Sequence, residues 1–317
     1  MALSLVSCSS TKYNDALKLI DEGKYADAYA LLNELGDYQD AKELVAKFRY
    51  VPTSAVYEID GEILSTEIFY DEDNLPLRTV VTKADGTQHT SEYTYDANKD
   101  LIKEFFVDQE YGETTYSYTY DAARNLIKEV YDHAQGSYHT IENEYDESGR
   151  LIKTTVSYPD IMEYTAEYTY DESGKLISET ITTDDDYSCT TNYTYDENGR
   201  MVSGVATGSD GTTENIGFTY DANGNLTKQY STADGVELYS DNYTYDENGN
   251  MTKSVFMFDG AVDSSYEYTY DENGSVIKTV YTDSEGNTKT KEMVYKLVFI
   301  EKDVTEIIEK LLEFDNL

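Results

Sequence analysis

The chain of 317 residues carries 63 acidic and 24 basic side chains and a formal charge of −39. This charge repels nucleic acid and anionic lipid headgroups, so neither is an expected partner, whereas basic proteins, cations and neutral glycans remain open. The 33 tyrosines indicate a folded protein rather than a disordered acidic one, and two cysteines, Cys8 and Cys189, are too few for a disulfide framework.

Residues 1–12 contain a short motif that ends in a cysteine. Leu5-Val6-Ser7-Cys8 resembles a bacterial lipobox, in which the cysteine is lipidated and becomes the mature N-terminus. The resemblance implies that Cys8 is a lipid anchor followed by a tether, and that the protein meets a membrane only through its lipid. A signal peptide also needs a basic, longer leader, so the start lies further upstream, or the motif is accidental and the protein cytoplasmic.

Residues 13–50 show the apolar spacing of helices. Two predicted helices, each with an apolar stripe, end at Gly23 and Gly36, which can form left-handed caps. Asp37 is the expected N-cap of a third helix that reaches Phe48. The order of aromatic and small residues resembles a tetratricopeptide repeat through Tyr13, Ala16, Leu19, Gly23, Tyr25, Ala28 and Leu32. So few units favour a capping or spacer module, with peptide binding as the alternative.

Residues 53–302 are dominated by a repeat with a period of 25 residues. Its motif is Tyr-Thr-Tyr-Asp or a close variant, and the tyrosine before the aspartate stands at Tyr70, Tyr95, Tyr120, Tyr145, Tyr170, Tyr195, Tyr220, Tyr245 and Tyr270, with a last copy at Tyr295. A fixed period indicates one supersecondary unit stacked on copies of itself. The predicted fold is mainly β, with tandem antiparallel hairpins forming a long curved or spiral sheet behind the small helical module.

Each repeat contains a constant turn that begins at an aspartate and favours a type I turn closed by a left-handed residue. The turn aspartates are Asp71, Asp96, Asp121, Asp146, Asp171, Asp196, Asp221, Asp246 and Asp271. We expect each carboxylate to accept hydrogen bonds from its own turn and expect no cofactor; calcium is the alternative, although it takes six to eight oxygen ligands. Asn74, Lys99 and Arg124 replace glycine at the left-handed position, where a side chain costs about 1 kcal/mol.

The strands that lead into these turns carry a second tyrosine two places earlier. We assign the candidate ligand surface to Tyr93, Tyr118, Tyr168, Tyr193, Tyr243 and Tyr268. The hairpin geometry predicts that the tyrosine before the aspartate faces the residue six places later, as Tyr170 faces Leu176. It also predicts that the earlier tyrosine lies opposite a lysine at Lys103, Lys128, Lys253 and Lys278. The second turn of each repeat varies, as recognition loops often do.

The motif Tyr-x-Tyr-Asp-x-x-Gly-x-Leu, as in Tyr168 to Leu176, resembles the YD (Rhs) repeat of bacterial surface and toxin proteins over about residues 66–295. The resemblance implies long hairpin sheets, which in large toxins spiral into a hollow shell around an effector. This chain differs in having no proline after Pro159, and we expect it to lack a C-terminal effector. Residues 303–317 instead predict a capping helix over the end of the sheet.

Catalysis is not expected, because the sequence lacks nucleophile-elbow, phosphate-loop and HExxH motifs. His133 and His139 flank one variable turn and are the candidate metal pair, with Asp132 and Glu142 nearby. No metal is expected, since a structural zinc site usually has four ligands.

These features predict a monomeric bacterial cell-surface lipoprotein, anchored or secreted. It would act as a non-catalytic scaffold that binds a glycan or protein partner. The alternatives are a purely structural repeat protein and an orphan fragment of an Rhs-type toxin shell.

Overall fold

The computed structural model describes residues 2–59, 61–108, 112–134, 138–159 and 161–299. In these ranges three helices precede twenty strands: α1 (Ala2–Asp21), α2 (Tyr25–Leu35), α3 (Ala41–Val45), β1 (Phe48–Ile59), β2 (Glu62–Tyr70), β3 (Pro76–Thr82), β4 (Gln88–Tyr95), β5 (Leu101–Asp108), β6 (Gly112–Tyr120), β7 (Leu126–His133), β8 (Tyr138–Tyr145), β9 (Leu151–Tyr158), β10 (Met162–Tyr170), β11 (Leu176–Thr183), β12 (Ser188–Tyr195), β13 (Met201–Gly208), β14 (Thr213–Tyr220), β15 (Leu226–Ala233), β16 (Val236–Tyr245), β17 (Met251–Phe258), β18 (Ala261–Tyr270), β19 (Val276–Asp283) and β20 (Thr288–Phe299). The mainly β class built from tandem hairpins is confirmed. The helix expected over 303–317 lies outside the described residues.

The chain divides into two compact units. The first contains residues up to Tyr57, then Ile63–Glu92, and residues from Glu292 onward; the second contains Glu58–Glu62 and Tyr93–Lys291. None of the helices in the described part of the chain has the length and apolarity needed to cross a bilayer.

The first unit packs its helices on a small core. Alanines at the helix contacts are fully buried, since Ala16, Ala28 and Ala41 each expose 0% of their surface. Phe48 closes this core at the start of β1, with its ring centroid 5.1 Å from that of Phe299 in β20. Strand β1 pairs with both β2 and β20, and β2, β3 and β4 continue as antiparallel neighbours.

The helix boundaries differ from the prediction in three places. Helix α1 begins at Ala2 rather than Tyr13, so it includes the residues expected to form a tether. Asp40, not Asp37, precedes α3, and its side chain makes no cap hydrogen bond. The third helix ends at Val45 and Phe48 is in a strand, because its ring packs between the helices and Phe299. Gly23 and Gly36 have the positive φ angles expected of them, 69° and 56°.

The second unit is an antiparallel meander in which each strand from β5 to β19 pairs with the next along the chain. Two sets of turns therefore alternate at opposite ends of the strands. The constant turns join β6 to β7, β8 to β9 and so on, and the variable turns join the remaining neighbours.

A β-bulge stands at the same position in each constant turn from β6–β7 to β18–β19. Tyr170 faces Leu176 as predicted, but the register shifts by one residue between Thr169 and Tyr170. Because of this shift, the tyrosine two places earlier does not lie opposite a lysine. Lys128 faces Thr119, whereas Tyr118 faces Glu129, so the predicted pair of Tyr118 with Lys128 is wrong. Lys253 and Lys278 likewise face Thr244 and Thr269.

The two faces of the meander differ in exposure. In β10, Tyr164, Tyr168 and Tyr170 are half-buried and Ala166 is buried, while Glu167 and Thr169 on the other side are exposed. We call the side that carries these tyrosines the tyrosine face. Side chains alternate across a strand, so the neighbouring strands contribute their paired residues to the same face.

Candidate functional site

The turn aspartates are occupied by their own turns. In the turn after β10, the Oδ1 atom of Asp171 accepts hydrogen bonds from the amides of Ser173 and Lys175 at 2.8 and 2.9 Å. The amide of Gly174 donates to the carbonyl of Asp171 at 3.0 Å, which closes the turn. The same pair of amides, two and four residues on, serves Asp71, Asp96, Asp146, Asp196, Asp221, Asp246 and Asp271. Asp121 accepts the amide of Asn125 in the same way.

These bonds favour the charged form of the carboxylates. The amide of Arg150 is the main reason that the pKa of Asp146 lies below its usual value, and its guanidinium adds to the effect. Arg200 lowers the pKa of Asp196 in the same way. Hydrogen bonding to the ionised state explains the direction of both shifts. Because the lone pairs are used locally, these carboxylates work as turn caps.

Three of the constant turns have a residue other than glycine at the left-handed position, as the sequence predicts. Asn74, Lys99 and Arg124 have φ angles of 61°, 66° and 71°. The side chain of Arg124 also forms a contact that glycine could not form, because its guanidinium donates hydrogen bonds to Asp100 of the preceding turn at 2.6 and 2.9 Å.

The tyrosine before each aspartate joins one repeat to the repeat before it. The hydroxyl of Tyr170 donates to the backbone carbonyl of Leu151 at 2.8 Å, across to the previous hairpin. The same bond, always to the residue 19 positions earlier and 2.6–2.9 Å long, is made by Tyr120, Tyr145, Tyr195, Tyr220, Tyr245 and Tyr270. We call this set of bonds the hydroxyl ladder. Each rung contributes about 0.5–1.5 kcal/mol, as neutral hydrogen bonds in proteins do.

Several rings of the hydroxyl ladder also lie under a cation. The guanidinium carbon of Arg150 is 5.0 Å from the ring centroid of Tyr170, and that of Arg200 is 4.8 Å from Tyr220. The Nζ atom of Lys175 is 5.1 Å from the ring of Tyr195. Each cation belongs to the turn of the preceding repeat, so cation–π contacts strengthen the same junctions.

The six tyrosines of the predicted ligand surface fall into two groups. Tyr93 and Tyr118 expose only 6% and 7% of their surface and are part of the core, which corrects their assignment to a binding surface. Burial is also the main cause that raises the pKa of Tyr118. The remaining four, Tyr168, Tyr193, Tyr243 and Tyr268, are half-buried on the tyrosine face. Burial and the nearby Glu179, which accepts the hydroxyl of Tyr193 at 3.1 Å, raise the pKa of Tyr193 to about 12.

A different set of rings forms a continuous row on the tyrosine face, across β6 to β9. The aromatic row consists of Tyr116, Tyr131, His139 and Tyr158, with successive ring centroids 5.1, 4.8 and 4.9 Å apart. The register places Tyr116 opposite Tyr131 and Tyr131 opposite His139. The His139 ring is stacked between Tyr131 and Tyr158 at interplanar angles of 23° and 30°. All four residues are half-buried.

Carboxylates lie beside this row. Glu104 faces Tyr116 across β5 and β6, and Glu129 is two residues before Tyr131 on the same face. Burial is the first cause that raises the pKa of Tyr116 to about 12, followed by the charges of Tyr131, Glu104 and Glu129. The row therefore combines aromatic edges, an imidazole and negative charge.

The two histidines do not form the pair that the sequence suggested. His133 and His139 both stack on Tyr131, with centroids 6.4 and 4.8 Å away, and do not face each other across the turn. In the described part of the chain, no group of three or more His, Cys, Asp or Glu side chains is placed to hold a metal ion.

Sequence reasoning missed the hydroxyl ladder and the aromatic row. A signal for the ladder was present, because all nine constant turns are preceded by tyrosine and never by phenylalanine. A ring needed only for packing would tolerate phenylalanine. The aromatic row had no such signal, because His139 and Tyr158 do not recur at the repeat period.

Part of the chain is similar to a known repeat family. A family model described as the teneurin YD-shell matches residues 130–242. No curated protein matches the chain. The tetratricopeptide-like interpretation of residues 13–48 finds no support in these comparisons.

The solved structures that the chain matches include a TcdB2-TccC3-Cdc42 crystal structure, which is 18% identical at a TM-score of 0.45 and covers 74% of this chain. This chain spans only 15% of that one. A porin-like protein from Bacteroides uniformis is 13% identical at a TM-score of 0.36, covering 77% of this chain and 96% of its own. A second, from Bacteroides vulgatus, is 10% identical at a TM-score of 0.32, covering 78% and 99%.

Proposed function

We propose that this chain, a YD-type repeat protein by its match over residues 130–242, is a non-catalytic binding scaffold of a bacterial cell surface. The single observation that carries the proposal is the aromatic row on the tyrosine face. The repeated aspartates and the tyrosines of the hydroxyl ladder are engaged in holding hairpins together. The contact of Tyr116 with Tyr131 has a counterpart six repeats later in Tyr266 and Tyr281. The stack that His139 and Tyr158 add to it does not follow the repeat, so the stacking of repeats does not account for that part of the row.

The geometry of the row favours a ligand that forms hydrogen bonds. The rings of Tyr131, His139 and Tyr158 cover one another's faces, because their planes lie within 23–30° of parallel. Stacked rings offer a ligand their edges, which carry the phenol oxygens and imidazole nitrogens. A row of ring edges that carry hydrogen-bonding atoms suits the hydroxyl groups of a sugar better than an exposed flat ring face would.

The charge beside the row selects among glycans. Glu104 and Glu129 can accept hydrogen bonds from sugar hydroxyls and repel sulfated or sialylated chains. We therefore expect a neutral glycan, and the alternative partner at the same row is a protein segment without acidic side chains.

A glycan array probed with the full chain tests this proposal. The expected result is binding to neutral glycans that falls about tenfold or more in His139→Ala and weakens in Glu129→Gln. Val205→Ala is the control, because Val205 is 41% exposed in β13 on the opposite face. Neutral-glycan binding that is equal in His139→Ala and the parent chain would contradict the assignment to this row.

A purely structural shell segment is the second candidate, favoured by the family match itself, whose description is that of a shell. It predicts that no ligand from the array binds and that aromatic-row variants change only stability.

Anchoring at the surface is part of the same proposal and rests on Leu5-Val6-Ser7-Cys8. Expression in a lipoprotein-processing bacterium, followed by mass spectrometry of the N-terminal peptide, should show a diacylated Cys8. Recovery of a peptide that still contains Met1 through Ser7 would instead support the cytoplasmic alternative.

A further inference from the structure

Most of the exposed large hydrophobic side chains of the second unit lie at its variable turns, although Ile177 lies beside a constant turn and Ile181 and Val205 lie within strands. Large hydrophobic residues with more than a third of their surface exposed lie at or beside these turns: Val107, Tyr138, Ile161, Met162, Tyr187, Val236, Leu238, Phe258 and Val262. Scattered exposed hydrophobics are ordinary, but a group concentrated at one end of a sheet points to an interaction surface.

Four of these residues lie at two neighbouring variable turns, on both faces of the sheet, since Phe258 faces Tyr239 and Val262 faces Met257. Val236 and Leu238 begin β16, Phe258 ends β17 and Val262 begins β18, and they expose 59%, 38%, 61% and 51% of their surface. The amide of Asp259 donates to the carbonyl of Leu238 at 2.9 Å, which holds the two turns together. We call these four residues the apolar rim.

The charge around the apolar rim is predominantly negative. Between residues 103 and 278, all ten lysines and arginines follow a turn aspartate by three to seven positions, so they lie toward the constant turns. The variable turns near the rim carry exposed Asp234, Asp259 and Asp263. The Nζ atom of Lys228 reaches this end of the sheet and lies 2.8 Å from Glu237, but the three aspartates leave an excess of negative charge. Apolar contact area with such an excess complements a basic amphipathic partner.

A second copy of this chain fits the rim poorly. It would bring the same carboxylates against each other, on top of a formal charge of −39 per chain. Like charges placed together across an interface cost affinity.

We infer that the apolar rim docks a cationic amphipathic protein segment, whose apolar side chains contact Phe258 and its neighbours while its lysines or arginines meet Asp234 and Asp259. The segment anchors on Phe258, since exposed aromatic residues are the usual hot spots of such contacts. This surface is separate from the aromatic row, so it does not depend on the ligand proposed there.

The test measures binding of the full chain to a synthetic helical peptide with leucine on one face and lysine on the other. An oligolysine of equal charge and a leucine–glutamate peptide of the same pattern serve as comparison probes. The leucine–lysine peptide should bind most tightly, and Phe258→Ser should weaken it about tenfold or more. Because Phe258 is largely exposed, this change should leave the far-ultraviolet circular dichroism unchanged.

The charge contribution is tested with Asp234→Asn and Asp259→Asn together. Both residues have positive φ angles, 51° and 48°, which asparagine also tolerates. The double variant should bind the peptide more weakly and with a smaller dependence on salt. Val205→Ser is the control for a lost exposed apolar side chain away from the rim, and His139→Ala should leave peptide binding unchanged.

Three outcomes would overturn the inference. Equal binding by Phe258→Ser and the parent chain would remove the anchor. Oligolysine binding as tightly as the amphipathic peptide would reduce the contact to bulk charge. Concentration-dependent dimerisation that Phe258→Ser abolishes would identify a second copy as the occupant.

Discussion

Replacing Tyr170 by phenylalanine removes one hydroxyl from the hydroxyl ladder and keeps the ring. The hydroxyl donates to the Leu151 carbonyl at 2.8 Å, and the ring lies under Arg150 with 5.0 Å between centroid and guanidinium carbon. Phenylalanine presents a similar face to the guanidinium, so the cation–π contact is retained. Only the hydrogen bond between adjacent hairpins is lost.

The expected loss of stability equals the net free energy of one hydrogen bond, because both groups bind water instead in the unfolded chain. A neutral hydrogen bond contributes about 0.5–1.5 kcal/mol net, and Tyr170 is half-buried, so Tyr170→Phe should lower the free energy of unfolding by about 1 kcal/mol. For a unit of this size the loss corresponds to roughly 2–4 °C in the midpoint of thermal unfolding. Urea unfolding followed by far-ultraviolet circular dichroism measures it, with no change expected in the slope of free energy against denaturant.

Tyr164→Phe is the matched control, because Tyr164 is half-buried in the same strand and on the same face. It should change the free energy of unfolding by no more than about 0.5 kcal/mol. If Tyr164→Phe and Tyr170→Phe cost the same, the hydroxyl of Tyr170 has no special role and the ladder does not stabilise the repeat junctions.

Three further predictions concern the turns, the tyrosine face and one close contact. The pKa of Asp196 is lowered by its turn amides, so its contribution to stability is present above the ordinary aspartate pKa of about 3.9 and is lost as the pH falls through the folded value; Asp196→Asn should flatten this acid loss, whereas Glu197→Gln, in the same turn, should not. The pKa of Tyr193 is raised to about 12, so its contribution is complete below pH ~10 and is lost on further alkalinisation; tyrosinate absorbance should show this group ionising well after exposed tyrosines, and titration at the ordinary value would refute its burial. A Cβ atom at Gly217 would lie 2.2 Å from the ring of Tyr230, so Gly217→Ala should cost about 1–3 kcal/mol in urea unfolding and should be rescued by Tyr230→Ser; a cost that persists in the double variant would show that the contact is not its cause.

The sequence predicts local geometry well because the forces involved are local. The aspartate turns, the left-handed angles at Lys99 and Arg124, and the pairing of Tyr170 with Leu176 all depend on residues within one hairpin. The wrong partner was predicted for Lys128 because the bulge beside Tyr120 was not foreseen. The bulge shifts the register by one residue, so Lys128 faces Thr119 rather than Tyr118.

Contacts between repeats could not be derived in the same way. The hydroxyl ladder joins residues 19 positions apart in separate hairpins, and no periodicity argument says which atom a phenol will reach. Phe48 continues a helical pattern in the sequence, yet it lies in a strand because its ring packs on Phe299, 251 positions later. The aromatic row depends on the pairing of four strands that carry different side chains.

The hydroxyl ladder also bears on how such a chain can change in evolution. Every junction from Tyr120 to Tyr270 is made by the same atoms in the same register. Any repeat of this series can therefore follow any other along the chain and form the same bond. After duplication or excision of a 25-residue block, each remaining tyrosine hydroxyl still has a backbone carbonyl that can accept its hydrogen bond. A gain or loss of any other length breaks that match, so related genes should differ in length by whole blocks, while new specificities arise by point mutation in the turns that face away from the ladder.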